Sequence, residues 1–168
     1  SFYIEVKKVG KINTDLQKTE IQLRDYNSNH PAPFTLITDG VNWRFYYAQT
    51  GGKFSDKCFK VIDLLNDELE DIELMFLTFL SKEDVGNGNA QQEASAYLRL
   101  NQKKRLMEDS LPDAKRMTLE PPFLSLPECL CELVNKKGYN ITKTEAADFI
   151  QYGFKNRTKA TKNQIINN

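Results

Sequence analysis

Residues 34–47 constrain the fold more tightly than any other stretch of the chain. Phe34-Thr35-Leu36-Ile37-Thr38 is followed by Asp39-Gly40 and then by Trp43-Arg44-Phe45-Tyr46-Tyr47. Two short runs rich in β-branched and aromatic residues, joined through Asp-Gly, predict a β-hairpin. The first run is largely apolar, as a strand in a sheet interior must be. A chain carrying such a hairpin cannot be a helical bundle.

The flanks extend the sheet. Phe2-Tyr3-Ile4-Glu5-Val6-Lys7 alternates apolar and polar residues, the pattern of a half-buried strand, and Gly10 ends it. Asn13 or Thr14 is the expected N-cap of a helix that carries Leu16, Leu23 and Tyr26 and runs to about Ser28. His30-Pro31-Ala32-Pro33 breaks it. Beyond the hairpin, Gly51-Gly52 turns the chain and Cys58–Ile62 reads as a further strand. The order strand, helix, strand, strand, strand predicts an α/β class.

From Asn66 the period becomes helical. Leu69, Ile72, Met75, Phe76, Phe79 and Leu80 mark one face, with a stop expected at Gly86-Asn87-Gly88-Asn89. A second helix is expected over Ala90–Asp109, a third near Pro127–Lys137, and a fourth from a Thr142 or Thr144 cap to about Lys155. The expected organisation is a sheet-bearing core over 1–63, a helical segment over 64–157 packed on it, and a polar, disordered tail over 158–168. Pro127–Lys155 resembles a helix-turn-helix in spacing, but its second helix is not rich in base-reading residues, and ordinary packing is the better reading.

Composition narrows the function. No apolar run approaches the roughly 20 residues of a membrane-spanning helix, so no membrane association is expected. Three cysteines make no disulfide framework, which favours a reducing, cytoplasmic setting. The 23 Lys+Arg balance 23 Asp+Glu, which excludes a generally basic nucleic-acid binder. Locally the charge is uneven. Residues 1–62 carry 9 basic and 6 acidic groups (+3), residues 63–96 carry 1 and 9 (−8), and residues 97–168 carry 13 and 8 (+5).

Few residues can do chemistry. A single His and a Cys129-x-Cys131 pair do not make a zinc site, and no glycine-rich phosphate loop follows a strand. Carboxylates and lysines remain. Glu5 and Lys7, at i and i+2 on a strand, project from one face. Such a pair at a sheet edge suits phosphodiester hydrolysis. The carboxylate can hold Mg²⁺, while the lysine orients the attacking water and offsets charge at the phosphate. Alone, Glu-x-Lys is more often a solvated ion pair. Gln22 and Tyr26, at i and i+4, share a face of the following helix and could contact phosphate or stack on a base.

Three pieces in order, Ile4-Glu5-Val6-Lys7-Lys8, Gln22-Leu23-Arg24-Asp25-Tyr26 and Leu36-Ile37-Thr38-Asp39-Gly40-Val41-Asn42-Trp43-Arg44-Phe45-Tyr46, resemble the N-terminal nuclease domain of type I restriction-enzyme R subunits and the related predicted type IV restriction endonucleases. Both groups belong to the PD-(D/E)xK nuclease superfamily. The resemblance covers roughly residues 2–47. It implies a restriction-endonuclease-like mixed sheet and a bacterial, Mg²⁺- or Mn²⁺-dependent DNA endonuclease. Glu5 would be a metal ligand, Lys7 the catalytic lysine, Gln22 and Tyr26 the supporting helix motif, and Trp43 a buried scaffold residue. Lys8, Lys11 and Arg24 would be available for phosphates. Double-stranded DNA is the implied partner, with other restriction-system subunits or a second copy as further ones.

One family feature is missing. The first essential Asp lies on a strand preceding Glu-x-Lys, and only Ser1, Phe2, Tyr3 and Ile4 precede Glu5 here. The expectation is that this partner Asp lies upstream of the chain, which would then be inactive as it stands with its metal site unoccupied, and that the sheet is N-terminally incomplete, with an exposed edge or one completed by a dimer beside residues 2–8. The alternative is a substitute acid among Asp15, Glu20 and Asp39. An inert nuclease-fold module for binding DNA or protein is the competing reading.

Overall fold

The computed structural model describes residues 2–153. The polar tail expected over 158–168, and the end of the helical segment at 154–157, lie outside the described residues. The chain divides into two compact units, residues 1–99 and 100–168.

The first unit is a four-stranded mixed sheet with helices, an α/β arrangement. Strand β1 (Phe2–Val6) leads into helix α1 (Ile12–Asn29), then β2 (Phe34–Thr38), β3 (Asn42–Tyr47), a 3₁₀ turn at Phe54–Lys57 and β4 (Cys58–Asp63). Sheet order follows chain order, with β1 and β2 parallel and the other pairs antiparallel. The hairpin predicted at Asp39-Gly40 joins β2 to β3, and Gly40 adopts the positive φ of 89° that this turn requires. All five residues of β2 are buried, as the apolar run predicted.

Each face of the sheet has its own core. Phe34, Leu36, Phe45, Phe59 and Ile62 pack with Ile72, Met75 and Phe79 of helix α2 (Leu69–Leu80) and with Ala90, Ala94 and Leu98 of helix α4 (Asn89–Met117). On the other face Ile37, Tyr46, Ala48 and Phe54 pack with Ile12 and Leu23 of α1.

Several boundaries differ from expectation. Helix α1 starts at Ile12 with Lys11 at the N-cap and no side-chain cap, not at Asn13 or Thr14. Burial of Ile12 against the sheet sets that start, and the Thr14 hydroxyl donates back to the Lys11 carbonyl. The amphipathic run from Asn66 forms α2 and a short helix α3 (Lys82–Asn87), with Ser81 capping the latter through the Asp84 N–H. The stop expected at Gly86–Asn89 is reduced to Gly88, in the left-handed region at φ 91°. Trp43, expected buried, is half-buried, with its ring edge-on to Phe76 at 5.1 Å.

Strand β1 also turns the other way. Its alternation is real, but Phe2, Ile4 and Val6 are exposed, while Tyr3, Glu5 and Lys7 are the half-buried set. Among the described residues the helical layer buries the neighbouring Phe34 and Leu36 and leaves the apolar side chains of β1 exposed.

In the second unit Met107 and Ala114 of α4 pack with Cys129, Leu130 and Val134 of helix α5 (Leu126–Lys136), with Ile141, and with Ala146 of helix α6 (Lys143–Tyr152). Helix α4 does not stop at Asp109 but runs through Pro112. Burial of Met107, Ser110 and Ala114 on one face carries it past the missing backbone donor. Thr142 is the N-cap of α6. Its hydroxyl accepts from the Glu145 N–H at 3.1 Å, and the Glu145 carboxylate accepts from the Thr142 N–H at 2.8 Å.

Candidate functional site

Glu5 and Lys7 point to the same side of β1, as their spacing predicts, and meet: Lys7 Nζ donates to Glu5 Oε1 at 2.9 Å. Their side chains are 29% and 22% exposed, so the pair stands at a rim that both protein and solvent reach. The backbone below is held by β2, since the Lys7 N–H donates to the Thr38 carbonyl at 2.7 Å. The pair therefore sits on a strand with its backbone fixed and its side chains partly accessible.

Helix α1 brings its own residues to this rim. Tyr3, on the Glu5 side of the strand, meets Tyr26 edge-on with ring centroids 5.5 Å apart, and His30 continues the row at 6.1 Å from Tyr26. The strand motif and Tyr26 are thus neighbours through Tyr3. Tyr3 was not singled out from the sequence, although its i−2 relation to Glu5 was the available signal. Gln22 lies one turn before Tyr26 and is exposed, as are Lys8 and Lys11. Arg24 is occupied at the surface by Asp25, with bonds of 2.9 and 2.8 Å.

Two of the acids weighed as a substitute are engaged elsewhere. Asp39 is buried, and its carboxylate accepts from three backbone N–H groups: Gly10 at 2.9 Å, Val41 at 3.1 Å and Asn42 at 2.8 Å. Those donors, Asn42 foremost, hold its pKa below the ordinary carboxylate value against the opposing effect of burial. Asp39 is therefore a strut of the hairpin. Glu20 accepts a 2.9 Å bond from the Tyr46 hydroxyl, and Asp15 is exposed on α1.

The Tyr46–Glu20 bond belongs to a second polar row beneath α1. Burial, then the nearby Cys58 and Glu20, push the Tyr46 hydroxyl far above its ordinary pKa. Burial likewise raises the Cys58 thiol to about 11, which disfavours its thiolate. Arg44, opposite Ile37 in the ladder, donates to Asn13 of α1 at 3.1 Å. This row fastens the helix to the sheet.

Among the described residues no group of three or more His, Cys, Asp or Glu could hold a metal ion. Glu5 is a partly exposed carboxylate on β1. Also among them, no helix is long and apolar enough to cross a membrane. Comparison of the chain with protein-family models, with curated proteins and with solved structures finds no match in any of the three.

Proposed function

We propose that the first unit is a restriction-endonuclease-like domain that hydrolyses phosphodiester bonds in double-stranded DNA. The observation that carries this reading is the Glu5–Lys7 pair, joined at 2.9 Å on an accessible strand rim beside Tyr3 and Tyr26. Lys7 provides a cation beside the place a scissile phosphate would occupy, where it can orient water and offset developing charge. The exposed Gln22, Lys8 and Lys11 provide hydrogen-bond donors and positive charge for the DNA backbone.

A divalent ion, Mg²⁺ or Mn²⁺, fits this donor set only in part. Glu5 supplies one carboxylate, so the remaining ligands would be waters, the substrate phosphate or an acid from outside the described residues. When bound, such an ion would supply Lewis acidity at the phosphate.

Conversion of supercoiled plasmid to nicked or linear DNA with Mg²⁺ or Mn²⁺ tests the reading. Loss of conversion in both Glu5→Gln and Lys7→Ala is expected. Cleavage retained in both variants would overturn it.

That no group of three or more His, Cys, Asp or Glu among the described residues could hold a metal favours a second reading, a catalytically inert module of the same fold that binds DNA or another restriction-system subunit. It is distinguished by a gel shift that weakens as salt rises, with no cleavage under any metal.

A further inference from the structure

The backbone of α1 beneath Tyr26 is well fixed. Leu23, one turn earlier, is buried with Ile37 and Tyr46 of the sheet. On the other side, the Asn27 side-chain oxygen accepts from the Ala32 N–H at 2.8 Å, and Ala32 is fully buried. The Tyr26 ring is held differently. It is 58% exposed, and it meets Tyr3 edge-on at 5.5 Å and the His30 ring at 6.1 Å. His30 is exposed and donates its N–H to the Tyr26 carbonyl at 3.0 Å, so it belongs to the end of the same helix. Of these two neighbours Tyr3 is the one that belongs to the sheet. It is half-buried and lies in register with Thr35, a fully buried residue of β2.

The place of Tyr3 along β1 gives the contact its meaning. Tyr3 and Glu5 share a strand face two residues apart, about 7 Å along the strand. Glu5, Tyr3 and Tyr26 therefore follow one another from the ion pair to the helix motif. An exposed aromatic side chain on a helix has more than one staggered position open to it, and an edge-to-face neighbour favours one of them.

We propose that Tyr3 is a positioning residue: its ring holds that of Tyr26 at a set distance from Glu5 and Lys7, so that a DNA strand engaged by Tyr26 meets the pair in one register. The proposal rests on the reading of the first unit as a domain that acts on DNA. It adds a residue outside both the Glu5–Lys7 pair and the Gln22–Tyr26 helix motif. The ring of Tyr3 does the positioning and its hydroxyl takes no part, so Phe can replace it and Leu or Ala cannot.

Gel-shift affinity of the 168-residue chain for a short DNA duplex, measured without divalent metal so that no cleavage intervenes, tests this in a double-mutant cycle. Tyr26→Ala should weaken binding about tenfold, as loss of one aromatic contact to DNA does. Tyr3→Ala should weaken it roughly 2- to 10-fold, the range set by an edge-to-face pair. Tyr3→Phe should bind as the unaltered chain does. Tyr3→Leu, which keeps apolar bulk on β1 without the ring, should behave as Tyr3→Ala.

In the Tyr26→Ala background, Tyr3→Ala should have no further effect. Urea unfolding of the same variants separates this from a merely structural role, which would lower stability without that non-additivity in affinity. Unweakened binding in Tyr3→Ala, with Tyr26→Ala weakened, overturns the positioning role and leaves the DNA reading standing. Additive losses in the double variant overturn it as well, because Tyr3 would then act independently of Tyr26. Full binding by Tyr26→Ala, or no binding by the unaltered chain, overturns the DNA reading of this helix face and the proposal with it.

Discussion

The Asp39 carboxylate accepts a 2.9 Å hydrogen bond from the backbone N–H of Gly10, 29 residues earlier in the chain. The same carboxylate closes the β2–β3 turn through Val41 and Asn42, so one side chain ties the exit of β1 to the hairpin. Asp39→Ala leaves these donors without their acceptor and should destabilise the first unit by about 2–3 kcal/mol, measured by urea unfolding.

A pH dependence follows from the same residue. Its pKa in the folded protein lies below the ordinary 3.8, through the Asn42, Gly10 and Val41 donors. A depressed carboxylate stabilises the fold above its unfolded value and loses that contribution as pH falls through the folded value. Below about pH 4 the stability of the unaltered chain should therefore fall more steeply than that of Asp39→Asn. Parallel curves would show that the carboxylate charge is not what the turn uses.

Glu5 and Lys7 should separate activity from stability. A rim ion pair contributes only about 0.2–1 kcal/mol, so Glu5→Gln and Lys7→Ala should melt close to the unaltered chain. Their effect should appear in plasmid cleavage alone. A large loss of stability in either variant would mean that the pair is architectural.

Phe79 packs against Phe59, Phe34, Phe45 and Tyr97 with ring centroids 4.7, 5.7, 6.1 and 6.3 Å away. Phe79→Ala opens a cavity in this aromatic cluster and should cost about 3–5 kcal/mol by denaturant unfolding. Phe79→Leu keeps much of the volume and should cost clearly less.

The Tyr46–Glu20 bond joins the centre of the sheet to α1. Tyr46→Phe removes the hydroxyl and keeps the ring stacked on Phe54, so a loss of about 0.5–1.5 kcal/mol is expected from thermal melting. Hydrogen exchange should quicken in α1 first, because this bond is one of its attachments to the sheet.

The hairpin, the all-buried β2, a strand over 58–62 and a cap at Thr142 or Thr144 were legible because each depends on neighbours in sequence, and the structure settles the cap on Thr142. Alternation, a turn dipeptide and a capping box act over a few residues, and their signals survive in a single chain. The helix limits were less legible. Ile12 begins α1 through burial against a distant strand, and Pro112 stays helical because its neighbours pack across the second unit. Local propensity carries no record of either contact.

By itself the sequence determined that Glu5 and Lys7 would share a face, because side chains alternate along any extended strand. It also determined that Gln22 and Tyr26 would lie one helical turn apart. Only the tertiary structure decided that Tyr3 brings Tyr26 to that rim, and that Asp39 and Glu20 are engaged in holding the hairpin and α1. It alone decided which half of β1 is covered, since alternation distinguishes two faces but burial depends on where the helices end. Packing at that boundary leaves Phe2, Ile4 and Val6 exposed and Glu5 and Lys7 partly enclosed.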